Sequence, residues 1–226
     1  MQPNRLLAAA AFALAAVAPL AHAAPLNNSF GSAHFADTAL SGTTAAARPE
    51  LAGVVLEDVD KAFSVGGISG VVQNRVVRED ATGTLDFYWR IMLDPTTTGN
   101  GVQALRLIDF GVDNLTDADY RIDGLGVVDP TIARLFNPSF YPSGALNFIF
   151  GDPVGNGDGS QFFFLHTGAH QYAETAAYDL LDASGTLSGI YSTFAPAVPE
   201  PSSTALFALG ALTLFGLRRR AAASRA

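Results

Sequence analysis

Two histidines four residues apart are the side chains in this sequence whose spacing most directly suggests metal chemistry. His166 and His170 would share one face of a helix, as the ligands of zinc-binding helices do. The pattern lacks the adjacent Glu, however, and Gly168 with the apolar run 162–165 favours a strand that ends in a loop. Because His34 is the only other histidine after residue 23, a zinc site would also need carboxylates. The pair is interpreted as the polar end of a strand, with metal catalysis as the alternative.

A run of aspartates offers oxygen ligands within one short segment. Oxygen ligands suit Ca²⁺, and an exported protein meets enough calcium for weak sites to fill. The order DNLTDADYRIDG does not reproduce an EF-hand loop, and solvated hairpin loops are the alternative for this segment and for the Gly/Asp-rich residues 151–159. The sequence thus allows a structural calcium ion and predicts no other cofactor. The candidate ligands are Asp113, Asp117 and Asp119, and Asp109 and Asp123 flank them.

Groups for hydrolysis do not form a recognisable pattern. The sequence has no Gly-x-Ser-x-Gly elbow, and neither Ser160 nor Ser188 has an identifiable base partner. The many acids would place some pair at a glycosidase distance by chance, so such a pair carries no weight. Aromatic side chains expected at the surface could stack on sugar rings, although in a β domain they more often pack in the core or at its rim. These aromatic residues are Tyr88, Tyr120, Phe140, Tyr141 and Tyr172.

The elements that must position these side chains are β-strands. Residues 84–93 alternate in hydrophobicity, and the valine-rich residues 69–78 precede them across the turn 79–83. This pattern predicts an antiparallel hairpin. Burial of Phe87 and Trp89 is worth about 1.5–3 kcal/mol each, so the hairpin should organise the core. The predicted inward residues are Leu85, Phe87, Trp89 and Ile91, and the predicted outward ones are Thr84, Asp86, Tyr88 and Arg90.

Shorter candidate strands follow, each bounded by Gly, Pro, Asn or Asp. Their spacing is typical of a β-sandwich rather than of βαβ units. Residues 170–181 allow either a helix or a half-buried strand. The sequence therefore predicts one all-β, antiparallel, jelly-roll-like β-sandwich over residues 51–195, after a lead-in over residues 24–50 that is irregular or holds one short strand. The candidate strands are residues 102–110, 125–128, 145–150, 161–166 and 189–194.

The body of the chain is acidic. Residues 24–197 hold 8 basic and 20 acidic side chains, a formal net charge of −12, whereas the whole chain carries −8. This charge disfavours binding to nucleic acid or to anionic lipid and favours solubility or association with cations. The sequence has no cysteine, which excludes disulfides, thiol nucleophiles and thiolate metal sites. The fold must therefore be stabilised by an ordinary packed core.

Met1–Ala23 has the layout of a secretory signal peptide. Arg5 lies in a short n-region, residues 6–17 form an apolar core, and residues 21–23 read Ala-His-Ala, a small-x-small cleavage site. The apolar core is too short for a membrane span, which disfavours the alternative of a retained anchor. The mature protein is predicted to start at Ala24.

Three features follow one another near the other end of the sequence. Two prolines around a glutamate, within residues 196–203, favour an extended and accessible linker. The run Thr204–Leu217 carries no charge over 14 residues and as a helix would span about 21 Å, short against a hydrocarbon core of about 30 Å. The arginines behind it, in a tail over residues 218–226, are predicted to stay cytoplasmic. The residues concerned are Pro199, Glu200 and Pro201 in the linker and Arg218, Arg219 and Arg220 in the tail.

This arrangement resembles the PEP-CTERM sorting signal of Gram-negative bacteria, from about Val198 to Arg220. The resemblance implies an exported substrate of a membrane-embedded exosortase, which reads the Pro-Glu-Pro segment and removes the tail. It also implies a frequent association with exopolysaccharide. The valine-rich residues 69–78 and the segments ATGTLDFYWR and FFFLHTGAHQY resemble domains of other PEP-CTERM proteins, which supports a secreted β domain and no mechanism.

We therefore expect an exported protein, held transiently in the inner membrane by its C-terminal helix and then released or displayed at the cell surface. The expected partners are an exosortase-type enzyme and exopolysaccharide, with no nucleic acid. The leading expectation is a non-enzymatic structural or adhesive matrix protein. The alternative is a secreted carbohydrate-active hydrolase.

Overall fold

The computed structural model describes residues 24–111, 115–141 and 145–197, and over these ranges it is built from β-strands with one 3-10 turn at Pro49–Leu51. The described part of the chain contains no helix with the length and apolarity of a membrane span. Its strands are β1 Ala24–Pro25, β2 Phe35–Ala39, β3 Gly53–Val65, β4 Ile68–Glu79, β5 Leu85–Leu93, β6 Val102–Ile108, β7 Leu115–Tyr120, β8 Pro130–Phe136, β9 Leu146–Val154, β10 Phe163–Thr167, β11 Tyr172–Asp182 and β12 Tyr191–Pro196.

These strands form two six-stranded antiparallel sheets. The first sheet has the order β1-β7-β10-β5-β4-β3, and the second has the order β12-β11-β6-β9-β8-β2. Because apolar side chains from both sheets share one buried cluster, the sheets pack face to face. The predicted all-β sandwich is therefore confirmed.

The predicted hairpin is β4 and β5. Their register runs from Gly70 opposite Leu93 to Arg78 opposite Leu85. The backbone N–H of Glu79 donates to the carbonyl of Thr84 at 3.0 Å, which closes the turn. The long strand β3 then pairs with the other edge of β4. Three consecutive strands thus build the half of the first sheet that carries the site described below.

The core between the sheets is aromatic, as expected for the inward face of β5. Phe87 and Trp89 both pack against Phe110, with ring centroids 5.1 and 5.7 Å apart. Phe163 on β10 meets Phe148 on β9 at 4.7 Å. All five rings are fully buried. Contacts of this kind add about 0.5–1.5 kcal/mol to the stabilisation from burial alone.

The other face of β5 departs from the prediction. The side chains of Asp86 and Tyr88 were expected to point to solvent, yet both are buried. The outer face of the first sheet is covered by residues 40–52, whose backbone bonds to β7 and the following residue through Thr43 N–H to Tyr120 O and Ile122 N–H to Thr43 O. A second, smaller apolar cluster forms beneath this cover. It comprises Leu51, Val77, Tyr88, Phe162 and Phe164.

Two other segments settle or overturn predictions. Residues 170–181, which allowed a helix or a strand, form most of β11, which pairs with both β6 and β12. The predicted strand at residues 125–128 is wrong, because these residues form a loop. Gly126 has a φ of +101° there, and its Cα lies so close to Ser160 that a Cβ would come within 1.9 Å of the Ser160 carbonyl oxygen.

Candidate functional site

An open cleft of about 460 Å³ lies on the outer face of the first sheet. It is bordered by the 3-10 turn, the beginning of β3 and the loop that contains Gly124 and Leu125. Leu51, Val77 and Phe162 give it an apolar lining. A cleft of this size is within the range of small-molecule sites, which combine an apolar lining with a few polar groups.

Arginine side chains surround the aromatic part of this cleft. The guanidinium of Arg75 lies 4.5 Å from the centre of the Phe162 ring, and that of Arg90 lies 5.8 Å from the same ring. Arg48 lies 5.6 Å from the centre of the Phe164 ring. Arg121 lines the cleft directly. Four of the eight basic residues of residues 24–197 are thus gathered on this face of the first sheet.

The two arginines that line the cleft are each paired with a surface aspartate. Arg75 Nη2 lies 2.8 Å from Asp58 Oδ2, and Arg121 Nε lies 2.9 Å from Asp123 Oδ1. Partial burial opposes ionisation of Asp58, but hydrogen bonds from Arg75 and Gln73 and the charge of Arg75 together hold its pKa below the usual range. The hydrogen bond from Arg121 is the main cause that lowers the pKa of Asp123. Because exposed ion pairs of this kind contribute at most about 1 kcal/mol, a carboxylate on a ligand could replace the aspartate at little cost.

Two polar atoms in the cleft lack hydrogen-bond partners among the described residues. They are the Tyr88 hydroxyl and Arg75 Nε, both buried. Burial raises the pKa of Tyr88 well above its usual value, so the phenol keeps its proton and remains a donor. A buried donor without a partner costs about 1–3 kcal/mol.

The aromatic residues proposed from the sequence to contact sugars are dispersed. Tyr88 and Tyr120 are buried, so the expectation that they are exposed is wrong. Phe140 and Tyr141 are exposed in the turn after β8, and Tyr172 is half-buried at the start of β11. Of the five, Tyr88 alone lines the cleft. Phe162, the ring that meets two arginines, belonged to an apolar run and gave no sequence signal of its own.

The aspartates proposed as calcium ligands already have protein partners where the structure describes them. Asp117 Oδ1 lies 3.0 Å from Arg48 Nη1, and buried Asp119 accepts the backbone N–H groups of Gly42 and Tyr120. Within the described ranges neither belongs to a group of three metal-ligating side chains. Asp113 lies outside the described residues, and the calcium ion remains a prediction.

The two histidines have different partners. His166 lies in β10, one residue before its end, with Nδ1 2.7 Å from Asp86 Oδ1 and 3.0 Å from Glu79 Oε1. His170 follows the strand, and its Nδ1 lies 3.0 Å from the carbonyl oxygen of Gly83. The interpretation of this segment as a strand end is confirmed. The carboxylates beside His166 come from positions 80 or more residues earlier, so no local spacing could have revealed them.

The sorting residues Pro199, Glu200, Pro201, Arg218, Arg219 and Arg220 lie outside the described residues, as do the predicted signal peptide and membrane helix. Residues 197–220 match the PEP-CTERM protein-sorting motif, which confirms the resemblance seen in the sequence. The match begins at the residue after β12 and includes none of the strands. No curated protein and no solved structure matches the chain. The motif implies an exported precursor that is sorted by an exosortase, and the chemistry of the sandwich has to be inferred from its own residues.

Proposed function

We propose that this exosortase-sorted chain delivers a structural or adhesive β-sandwich to the cell surface or the extracellular matrix, where its cleft binds acidic exopolysaccharide. The observation that carries the proposal is the arginine-lined, partly aromatic cleft on an otherwise acidic domain. In this proposal the helix Thr204–Leu217 holds the precursor in the inner membrane until the exosortase acts at Pro199, Glu200 and Pro201.

The chemistry of the cleft favours a uronic acid over a neutral sugar. The exposed side chains of Val55 and Leu125, which line the cleft beside the buried ring of Phe162, provide an apolar surface for the C–H face of a sugar ring. Arg75 and Arg121 present planar donors that match a carboxylate.

The surrounding negative charge limits how such binding can work. With a net charge of −12 over residues 24–197, most of the surface repels an acidic polymer, so contact is confined to the cleft. Each copy would therefore hold the polymer weakly. Many copies on one polymer, or displayed on one membrane, would together hold it firmly through multivalency.

The proposed role is non-enzymatic, and a secreted carbohydrate-active hydrolase is the alternative. The two predict different mutational behaviour. A binding module loses retention when the cleft arginines or their aromatic neighbours change, and it tolerates single substitutions of its acids. A hydrolase has one or two acids whose loss abolishes turnover while the fold is preserved.

The proposal is tested by measuring binding of the full-length chain in detergent to polygalacturonate, with neutral dextran of similar length as the comparison polymer. We expect binding to polygalacturonate that weakens with added salt and falls about 10- to 150-fold in Arg75→Gln, because a charge-assisted hydrogen bond of about 1.5–3 kcal/mol is lost.

Arg134→Gln is the matched control. Arg134 lies 4.0 Å from the centre of the Phe35 ring and pairs with Asp37 at 2.7 Å, so it repeats the setting of Arg75 on the other sheet. If Arg75→Gln and Arg134→Gln weakened binding to polygalacturonate equally, or if the protein bound both polymers equally, the cleft would not be the binding site for an acidic polysaccharide. Release of new reducing ends from either polymer would favour the hydrolase instead.

A further inference from the structure

Three side chains from three strands of the first sheet converge beside the cleft-bearing hairpin. Glu79 is the last residue of β4, Asp86 is the second residue of β5, and His166 lies near the end of β10. The Nδ1 atom of His166 is 2.7 Å from Asp86 Oδ1 and 3.0 Å from Glu79 Oε1. All three ligand-type atoms lie within 4.8 Å of one another.

The two carboxylates in this cluster are inaccessible to solvent. The side chains of Glu79 and Asp86 are 0% exposed, while His166 keeps 18% of its side-chain surface. Asp86 Oδ2 has no hydrogen-bond partner among the described residues. One imidazole therefore faces two buried carboxylates, and each carboxylate keeps one oxygen, Glu79 Oε1 and Asp86 Oδ2, without a hydrogen bond among the described residues. Burial raises the pKa of Asp86 to about 6, which reflects how poorly its charge is compensated in this arrangement.

The surrounding side chains orient the cluster and do not neutralise it. The hydroxyls of Thr82 and Thr84 both donate to Glu79 Oε2, which leaves Oε1 directed to His166. Outer-shell bonds of this kind fix the ligands of metal sites. Arg48 is already bonded to Glu50 and Asp117. The cluster thus has oriented donors and lacks a sufficient positive charge.

We propose that Glu79, Asp86 and His166 bind one zinc ion. The donor set of one imidazole nitrogen and two carboxylate oxygens suits zinc, whereas Ca²⁺ and Mg²⁺ prefer oxygen alone. Zinc bonds of about 2.0–2.1 Å in tetrahedral geometry place ligand atoms about 3.3 Å apart. The observed separations of 2.7 and 3.0 Å would have to widen by only a few tenths of an ångström. Of the three side chains, that of His166 is the one that reaches solvent.

The proposed ion has a structural role. It would join the end of the β4–β5 hairpin to β10, which is its neighbour in the first sheet. Because both carboxylates are closed off from solvent, the site cannot receive a polysaccharide. It is distinct from the calcium ion predicted at Asp113, Asp117 and Asp119, and it does not depend on the function of the cleft.

The test is a calorimetric titration of the full-length chain in detergent, stripped with a chelator, with Zn²⁺, Ca²⁺ and Mg²⁺ as separate probes. We expect one equivalent of Zn²⁺ to bind and to raise the thermal midpoint, with Ca²⁺ and Mg²⁺ binding far more weakly. Asp86→Asn and His166→Gln should weaken zinc binding at least about 100-fold. His170→Gln is the matched control, because His170 lies close by in sequence and bonds to a backbone carbonyl instead. It should bind zinc as the wild type does.

The proposal is overturned if the wild type takes up no zinc, or if His166→Gln still binds one equivalent with unchanged affinity. The first result would mean that the three groups share protons without a metal. If the variants do not fold, X-ray absorption spectroscopy of the zinc-loaded wild type identifies the ligands of the ion. One imidazole with oxygen ligands is expected, and two or more imidazoles would place the ion elsewhere.

Discussion

The indole Nε1 of Trp89 donates a hydrogen bond of 3.0 Å to Oγ1 of Thr193, and this bond connects the two sheets through the core. Thr193 in turn donates to Asn74 Oδ1 at 2.8 Å, and Asn74 Nδ2 donates to the carbonyl of Val72. All of these side chains are buried. Because each donor has an acceptor, this polar chain can cross the apolar core without the cost of an unsatisfied group.

Substitutions in this chain should destabilise the protein by different amounts. Trp89→Ala removes a fully buried indole and should cost about 3–5 kcal/mol of unfolding free energy. Thr193→Val keeps the volume but leaves the indole N–H and Asn74 Oδ1 without their partner, at a cost of about 1–3 kcal/mol. Denaturant unfolding measures both values. A Thr193→Val protein as stable as the wild type would show that the inter-sheet bond contributes nothing.

Gly126→Ala should be more damaging than the same change at another glycine with positive φ. A Cβ at residue 126 would lie 1.9 Å from the Ser160 carbonyl oxygen, so the loop bordering the cleft must move. Gly185 has a φ of +90° with no described atom within 4 Å of such a Cβ, so Gly185→Ala carries only the conformational cost of about 1 kcal/mol. Thermal midpoints compare the two variants. Similar losses would mean that the loop absorbs the clash.

Asp182 should contribute to the decrease in the free energy of unfolding at low pH. The backbone N–H of Thr186, followed by the hydroxyl and N–H of Ser184, holds the pKa of Asp182 below its usual value of 3.8. A depressed carboxyl pKa stabilises the fold above the unfolded pKa, and this stabilisation is lost as pH falls through the lower folded value. The wild type should therefore lose stability below about pH 4 more steeply than Asp182→Asn.

The exposed Asp152 offers the control for this comparison. Unfolding free energies measured between pH 2 and 6, a range of about four units around the usual carboxyl pKa, should show Asp152→Asn with the acid limb of the wild type. If Asp182→Asn and Asp152→Asn have identical curves, the turn bonds do not influence the titration.

Processing should be visible in the intact mass of the protein from its native host. We expect an extracellular species that lacks Met1–Ala23 and the residues after Pro201, because the sorting motif covers residues 197–220. Glu200→Ala should retain the tail and stay in the membrane fraction. A wild-type protein that keeps Arg218–Ala226 in the membrane at steady state would indicate a permanent anchor. Added mass on the extracellular species would indicate covalent attachment.

The elements that were predicted from the sequence are those in which apolar and polar residues alternate along the strand. The hairpin β4–β5 was predicted because Phe87 and Trp89 face the core at every second position. The strand β3 was missed since it is an edge strand, largely exposed, with Glu57, Asp58 and Lys61 in its middle. Period-two alternation reports one buried face, and an edge strand with little burial does not produce it.

The parts of the site that the sequence did not predict lie on a strand face that distant segments of the chain cover in the folded protein. Asp86 and Tyr88 occupy positions that read as the solvent side of β5, and only the packing of residues 40–52 and of Phe162 over that side buries them. The partnership of Asp86 with His166 joins residues 80 positions apart. Local pattern carries no information about such a pair, because strand order decides it.

The position of β12 determines how tension on the membrane tether would reach the domain. Among the described strands, β12 forms backbone pairs with β11 alone, and the sorting motif begins one residue after Pro196. Seven residues precede the predicted span, and they reach about 25 Å when extended. A pull on the tether would unzip β12 from the pair Pro196 and Tyr172 inward, one pair at a time. Three residues before Pro196, this separation reaches Thr193, and the hydrogen bond from Trp89 to Thr193 resists further separation of β12 from the domain. The same cross-link that stabilises the core would act as a mechanical stop while the precursor is under load.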